Sequence, residues 1–357
     1  MKIGTLHLEK RTHVSWYVQG FSILIALAGA FGVGALLIMT TGASVGEAYA
    51  ALFKGAFGSR NAFLETLVQS TPLILTGLAM VVAFRARVWN IGAEGQFFAG
   101  AMAAAWVSMT LHDDLSGPLL LAAVLVAAML AGACWAMIAA YCKIRFNANI
   151  IIVTVMMNYI ILFLLSYLLS NTWREPGSYF MQTARFERIT YLPRFFSSRL
   201  HLGFFNALIA SVLVYVLVWK TSLGYSIRAV GVNPVASQFK GIQIKRTILT
   251  VMLISGALAG LAGGGEIAGL QHRLRLDIST GYGYTGIIIA LLGRLNPVGV
   301  ALAAIFFGAL VNGSTHMQIF TGVPVALVQS LQGIVLIFLL MSDVLTRYRI
   351  RRTPHAD

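Results

Sequence analysis

Phe84-Arg85-Ala86-Arg87-Val88-Trp89-Asn90-Ile91-Gly92-Ala93-Glu94-Gly95-Gln96 stands between two long apolar runs, and its reading decides what kind of fold the chain adopts. As a turn at a membrane surface it accounts for Arg85 and Arg87 but leaves Asn90, Glu94 and Gln96 incidental. As a break inside a helix it uses Gly92 and Gly95 for irregular backbone, which at membrane depth survives only against protein or a wet cavity. The second reading is preferred. It makes Asn90, Glu94 and Gln96 candidate residues of a solute pathway.

Working outward, the composition demands a membrane. Of 357 residues, 58% are apolar and 11% charged, with a mean hydropathy of +0.80. A soluble domain carries about 25% charged residues, so this chain cannot cover a globular surface. A span needs about 20 apolar residues. Runs near 20–41, 62–84, 96–112, 118–141, 148–170, 202–220, 246–264, 281–293, 297–314 and 325–342 give about ten transmembrane helices. The expected fold is an all-α integral membrane protein, with an N-terminal segment 1–19, a transmembrane domain 20–343 and a basic tail 344–357.

The net charge of +14 divides by side. Alternating spans from an internal N-terminus puts 17 basic residues and four acids inside, against nine and eight outside. Basic loops stay in the cytoplasm, so both termini are expected inside. The charge marks topology, not a nucleic-acid partner. The longest polar stretch, 171–201, is then an external loop.

A second interrupted segment runs Gly281-Tyr282-Gly283-Tyr284-Thr285-Gly286 and on through Gly293-Arg294-Leu295-Asn296-Pro297. A helix over 283–293 reaches about 17 Å, short of the hydrocarbon thickness of about 30 Å. Transporters place such interrupted helices at their binding sites. Tyr284, Thr285 and Asn296 therefore join the candidate pathway, with Asn158 of the fifth span, for which bonding to a neighbouring helix is an equal alternative. Gly256, Gly260 and Gly264 recur at spacing four and form a face on which helix backbones can approach closely.

One cytoplasmic loop carries its own design. In Gly231-Val232-Asn233-Pro234-Val235-Ala236-Ser237-Gln238-Phe239-Lys240-Gly241-Ile242, Asn233 suits an N-cap, Pro234 the first helical position and Gly241 the position past the end. The spacing predicts a helix of about seven residues outside the membrane, with Val235, Ala236 and Phe239 on one face. Two turns are unstable alone in water. The helix must pack on the chain's own inner ends or dock into a cytoplasmic partner.

The stretches 90–96, 231–242 and 284–297 together resemble the permease subunits of ABC importers of the branched-chain amino acid and ribose type. The similarity is greatest to the branch serving basic-membrane-protein-type receptors for purine nucleosides. The resemblance covers about 60–343. It implies a type II importer fold with interrupted helices, a second homologous permease forming a heterodimer, a cytoplasmic ATPase, an external solute-binding protein, and residence in the bacterial inner membrane. It also implies that Gly231, Asn233, Pro234, Ala236, Phe239 and Gly241 form the loop that couples to the ATPase. Ile150 follows Asn149 where many relatives carry an acid.

The implied solutes are purine nucleosides and related compounds, with simple sugars of the ribose kind as the alternative. The chain has no Gly-x-x-x-x-Gly-Lys-Ser/Thr, so ATP and Mg²⁺ are expected on the partner ATPase and no cofactor on this chain. An ion-coupled secondary transporter would need intramembrane ionisable groups, for which only Glu94 and Glu266 qualify. The seven His are dispersed, so neither a catalytic constellation nor a metal site is expected.

Overall fold

The structure, a computed structural model, describes residues 6–10 and 16–352. The remaining positions of the 1–19 and 344–357 segments, Lys2, Arg11 and Asp357 among them, lie outside the described residues.

Among the described residues, eight helices are long and apolar enough to cross a membrane. They are α1 (Trp16–Met39), α3 (Arg60–Arg85), α5 (Gly117–Phe146), α6 (Ile150–Ser170), α7 (Leu202–Lys220), α10 (Ile244–Glu266), α12 (Pro297–Thr321) and α13 (Val325–Arg347). Two further helices, α4 (Ala93–Thr110) and α11 (Tyr282–Leu292), occupy the other two expected runs but are not among those eight. Polar residues crowd the start of α4, and α11 has 11 residues, about 16 Å. These two follow the interrupted segments. Three shorter helices, α2 (Val45–Phe57), α8 (Ser222–Val232) and α9 (Pro234–Phe239), complete the set. Of these the sequence reading anticipated α9 alone. A paired ribbon of β1 (Leu6–Lys10) and β2 (Tyr348–Arg352) is the one exception to an all-helical chain among the described residues.

The chain divides into two compact units. In the unit formed by Met1–Gly58 and Leu310–Asp357, small residues let helices close on one another. The Phe338 ring fills the space beside Gly29, and His316 lies against Gly55. The Tyr49 hydroxyl of α2 donates to the Phe31 carbonyl at 2.5 Å, and the Asn312 amide to that of Gly55 at 3.0 Å.

The unit Ser59–Ala309 holds the interrupted helices. Its centre is α3, buried from Leu73 to Phe84. Beside it, α10 meets α5 and α4 backbone to backbone. A Cβ on Gly256 would overlap the Gly132 carbonyl, one on Gly260 the Ala128 carbonyl, and one on Gly264 would come within 2.5 Å of the Ala128 Cβ. Gly100 of α4 stands as close to Gly260. The small-residue stripe is thus a packing face on both sides. Beyond Glu266 the helix widens into a π turn, Ile267–Gln271, closed by His272 in the left-handed region.

Candidate functional site

Two helix N-termini converge on one carboxylate. The irregular stretch 86–92 leads into α4, which begins at Ala93 and puts Glu94 in its first turn. Glu94 Oε2 accepts the Gly283 N–H of α11 at 2.7 Å, and the Ser279 hydroxyl bonds the same carboxylate. Each helix N-terminus carries roughly half a positive charge, so a single buried Glu answers two of them. The approach depends on Gly283, where a Cβ would overlap the backbone nitrogen of Glu94. Arg85 and Arg87 do not reach Glu94. Arg85 Nε and Nη2 donate to the Leu295 carbonyl at 3.1 and 3.0 Å, with the guanidinium 4.8 Å over Trp219, while Arg87 is exposed.

The irregular backbone lies only in part where the glycines suggested. Arg87 takes the left-handed conformation, whereas Gly92 caps α4 and Gly95 lies inside its first turn. Gly95 serves approach instead: a Cβ there would come within 2.8 Å of Asn158 Oδ1.

The amides of the break bond one another and their neighbours. Asn90 and Gln96 exchange two hydrogen bonds at 3.0 Å, and Asn90 Nδ2 also donates to Ser255 Oγ of α10. Asn90 Oδ1 accepts the Gly92 N–H as well. From α6, Asn158 Oδ1 accepts the Gly95 N–H at 2.9 Å while its Nδ2 donates to the Ile91 carbonyl at 3.0 Å and to the Tyr284 hydroxyl at 3.1 Å. Thr154 Oγ1 accepts the Ile91 N–H. Asn90, Glu94, Gln96 and Asn158 are thus buried and brought together, with the backbone groups of Ile91 and Gly95 answered from α6 and the Asn90 amide answered from α4 and α10.

The other candidates fall elsewhere. Tyr284 is 41% exposed and Thr285 half-buried, both in the first turn of α11. Asn296 is exposed and caps α12, its Oδ1 accepting the Val298 N–H at 3.0 Å. The loop 231–242 carries the helix Pro234–Phe239, with Asn233 Oδ1 accepting the Ala236 N–H at 3.1 Å and Gly241 at φ +78° just past the end. Ser237 points inward and Gly231 lies against the Arg85 carbonyl. Phe239 is 89% exposed and Val235 63%. Packing on the chain's own inner ends does not cover this face.

On the opposite side, the loop 171–201 is laced to the stretch after α10. Thr183, Phe186 and Leu192 donate their N–H groups to the carbonyls of Leu274, His272 and Ala268. The His272 ring stacks on Tyr191 at 3.6 Å, and Arg194 Nη2 lies 2.7 Å from its Nε2. Burial, and then the nearby Arg194, push both His201 and His272 down to about 4, Arg185 adding to the effect on His272. Sequence reading had not singled out this cluster; two His far apart in the chain gave no spacing to read. Among the described residues, no three His, Cys, Asp or Glu are grouped to hold a metal.

Residues 62–340 match the family described as the permease component of branched-chain amino acid transport systems. The chain belongs to this family. A guanosine ABC transporter permease protein of Bacillus subtilis is 40% identical to this permease, over 89% of this chain and 92% of its own. A glucose ABC transporter permease protein of Haloferax volcanii is 36% identical over 96% and 92%. A nucleoside ABC transporter permease protein of Lactococcus lactis is 31% identical over 90% and 91%. The permease is therefore a multi-pass membrane subunit of an ABC transporter, a transport component and not an enzyme. A permease of this kind works with an ATPase and a solute-binding protein.

Proposed function

We propose that this permease is one half of a heterodimeric importer that carries purine nucleosides across the bacterial inner membrane. A separate ATPase binding ATP and Mg²⁺ would drive alternating access. Both termini face the cytoplasm. The external receptor delivers solute to the outer surface formed by 171–201 and the stretch after α10, and the solute passes beside the interrupted helices. The ATPase pulls on the helix 234–239.

The observation that carries this reading is the bare apolar face of that helix. Its caps are complete, yet Val235, Ala236 and Phe239 stay exposed on a two-turn element that cannot hold its fold in water alone. Such a face fits a groove on a cytoplasmic partner and has no use in an ion-coupled transporter. The guanosine and nucleoside relatives favour a nucleoside; the glucose relative keeps a sugar as the second reading.

The test is uptake by the assembled complex in sealed vesicles, with ATP on the ATPase side, comparing guanosine with glucose and adding an ionophore. The reading expects ATP-dependent guanosine uptake that survives the ionophore. ATP-dependent glucose uptake without guanosine uptake selects the sugar, and uptake that ignores ATP but collapses with the ionophore overturns the importer.

A further inference from the structure

The outer surface of α6 contains a contradiction for a helix facing lipid. At 21 residues, α6 matches the hydrocarbon thickness of about 30 Å. Its exposed side chains are apolar except for Tyr159 and Tyr167. Tyr167 lies near the external end, where an amphipathic ring belongs. Tyr159 is the tenth of the 21 residues, at the middle of the membrane, and it is 52% exposed. Its hydroxyl finds no hydrogen-bond partner among the described residues. Lipid chains offer none at that depth.

A second phenol shares the depth. Tyr284 stands in the first turn of α11, and its hydroxyl accepts from Asn158, the chain neighbour of Tyr159. The two tyrosines lie within electrostatic reach of each other. Met156 and Phe163 border Tyr159 one turn below and above. Two aromatic rings, with hydroxyls at their edges, are therefore presented at mid-depth where the half-helix begins.

We propose that Tyr159 and Tyr284 form a binding station for the solute in passage, one that takes a molecule with a flat ring face and hydrogen-bonding edges. The proposal rests on the importer reading and adds to it a place and a chemistry. Aromatic rings stack on a planar base or on the face of a sugar ring, and the phenol hydroxyls bond its polar rim. The deeper amides could not do this, because Asn90, Gln96 and Asn158 are already engaged with the protein.

Two measurements on the assembled complex test it. In the first, Tyr159→Ala should raise the KM for the transported solute by about tenfold, the loss of one stacked ring, with kcat little changed. Tyr159→Phe should restore most of the affinity. Guanosine and glucose, run separately, identify which flat ring is bound. An unchanged KM in Tyr159→Ala, or loss of the second permease from the complex with an unchanged KM in what remains assembled, overturns the station. In the second, Tyr159→Cys in a background lacking Cys134 and Cys142 should react with a membrane-impermeant thiol reagent. Saturating solute should slow that reaction. Labelling solely by a lipid-soluble reagent, or by neither reagent, overturns the facet even if the importer reading stands. ATP-independent uptake overturns the importer reading while the labelling still reports on the facet.

Discussion

The break at 86–92 and the loop at 231–242 both interrupt the apolar runs of the permease, and they are finished in opposite ways. At the break the polar groups turn inward: Asn90 meets Gln96 and Ser255, Asn158 meets Gly95 and Ile91, and Glu94 meets Gly283. At the loop the polar groups close the helix on itself, through Asn233 and Ala236, and the apolar groups are left outside, with Phe239 89% exposed. A buried polar network with its partners in place fixes one arrangement of helices. An unburied apolar face is unfinished until something covers it. The break is built to hold α4 and α11 together. The loop leaves an apolar face open.

Substitutions can break this contrast, beginning with the closest packing. Gly260→Leu drives a side chain into the Ala128 carbonyl, and Gly100 on the other side leaves no room to shift. Overpacking costs about 1–3 kcal/mol or more. We expect little folded protein in detergent and a clearly lowered melting temperature; a wild-type melt would mean that α5, α4 and α10 do not meet there.

Next is the carboxylate. Glu94→Leu leaves the Gly283 N–H buried without an acceptor, a penalty of about 1–3 kcal/mol, and leaves two helix N-termini without a counter-charge. Glu94→Gln keeps the acceptor and should recover part of the loss. Equal melting temperatures for Leu and wild type would detach Glu94 from the two helix starts. A smaller effect is expected at the loop: Asn233→Ala removes a cap worth about 1 kcal/mol, which should loosen the ATPase without moving the melt of the transmembrane domain. A fall in both would make the loop part of the packed core.

A pH dependence comes from the histidine cluster, away from both regions. His201 and His272, pushed down to about 4, stay neutral in the folded permease, whereas in the unfolded chain they bind protons near 6.5. The unfolded state then holds more protons between those values, so stability should fall as pH drops from about 6.5 toward 4. Thermal melts across that window, with His272→Gln flattening the slope, check the sign. A slope unaffected by both His272→Gln and His201→Gln would contradict it.

Much of this contrast was legible in the sequence, because it is local. Asn233, Pro234 and Gly241 are chain signals that set a cap, a first turn and an end, and the helix has them all. The recurrence of Gly256, Gly260 and Gly264 reads directly as a packing face. What local signals could not supply was partnership across the chain. Glu94 is 189 residues from Gly283, and Asn158 is 126 from Tyr284, so the polarity of the break was readable while its inward direction was not. The same limit hid α2 and α8, whose sequences are too short and mixed to stand out as spans. It also put Gly95, which lies inside α4, in the irregular backbone and missed the left-handed Arg87.

Phe239→Asp in the assembled complex tests the central claim most directly, by following receptor-stimulated ATP hydrolysis and ATP-driven solute uptake together. Phe239 is so exposed that a charge there should leave insertion and the thermal melt of the permease unchanged. Buried in a partner's groove, the same charge would lie unpaired. The account predicts an intact permease from which the ATPase is lost, with stimulated hydrolysis and uptake both abolished. Hydrolysis and uptake at wild-type levels would contradict it.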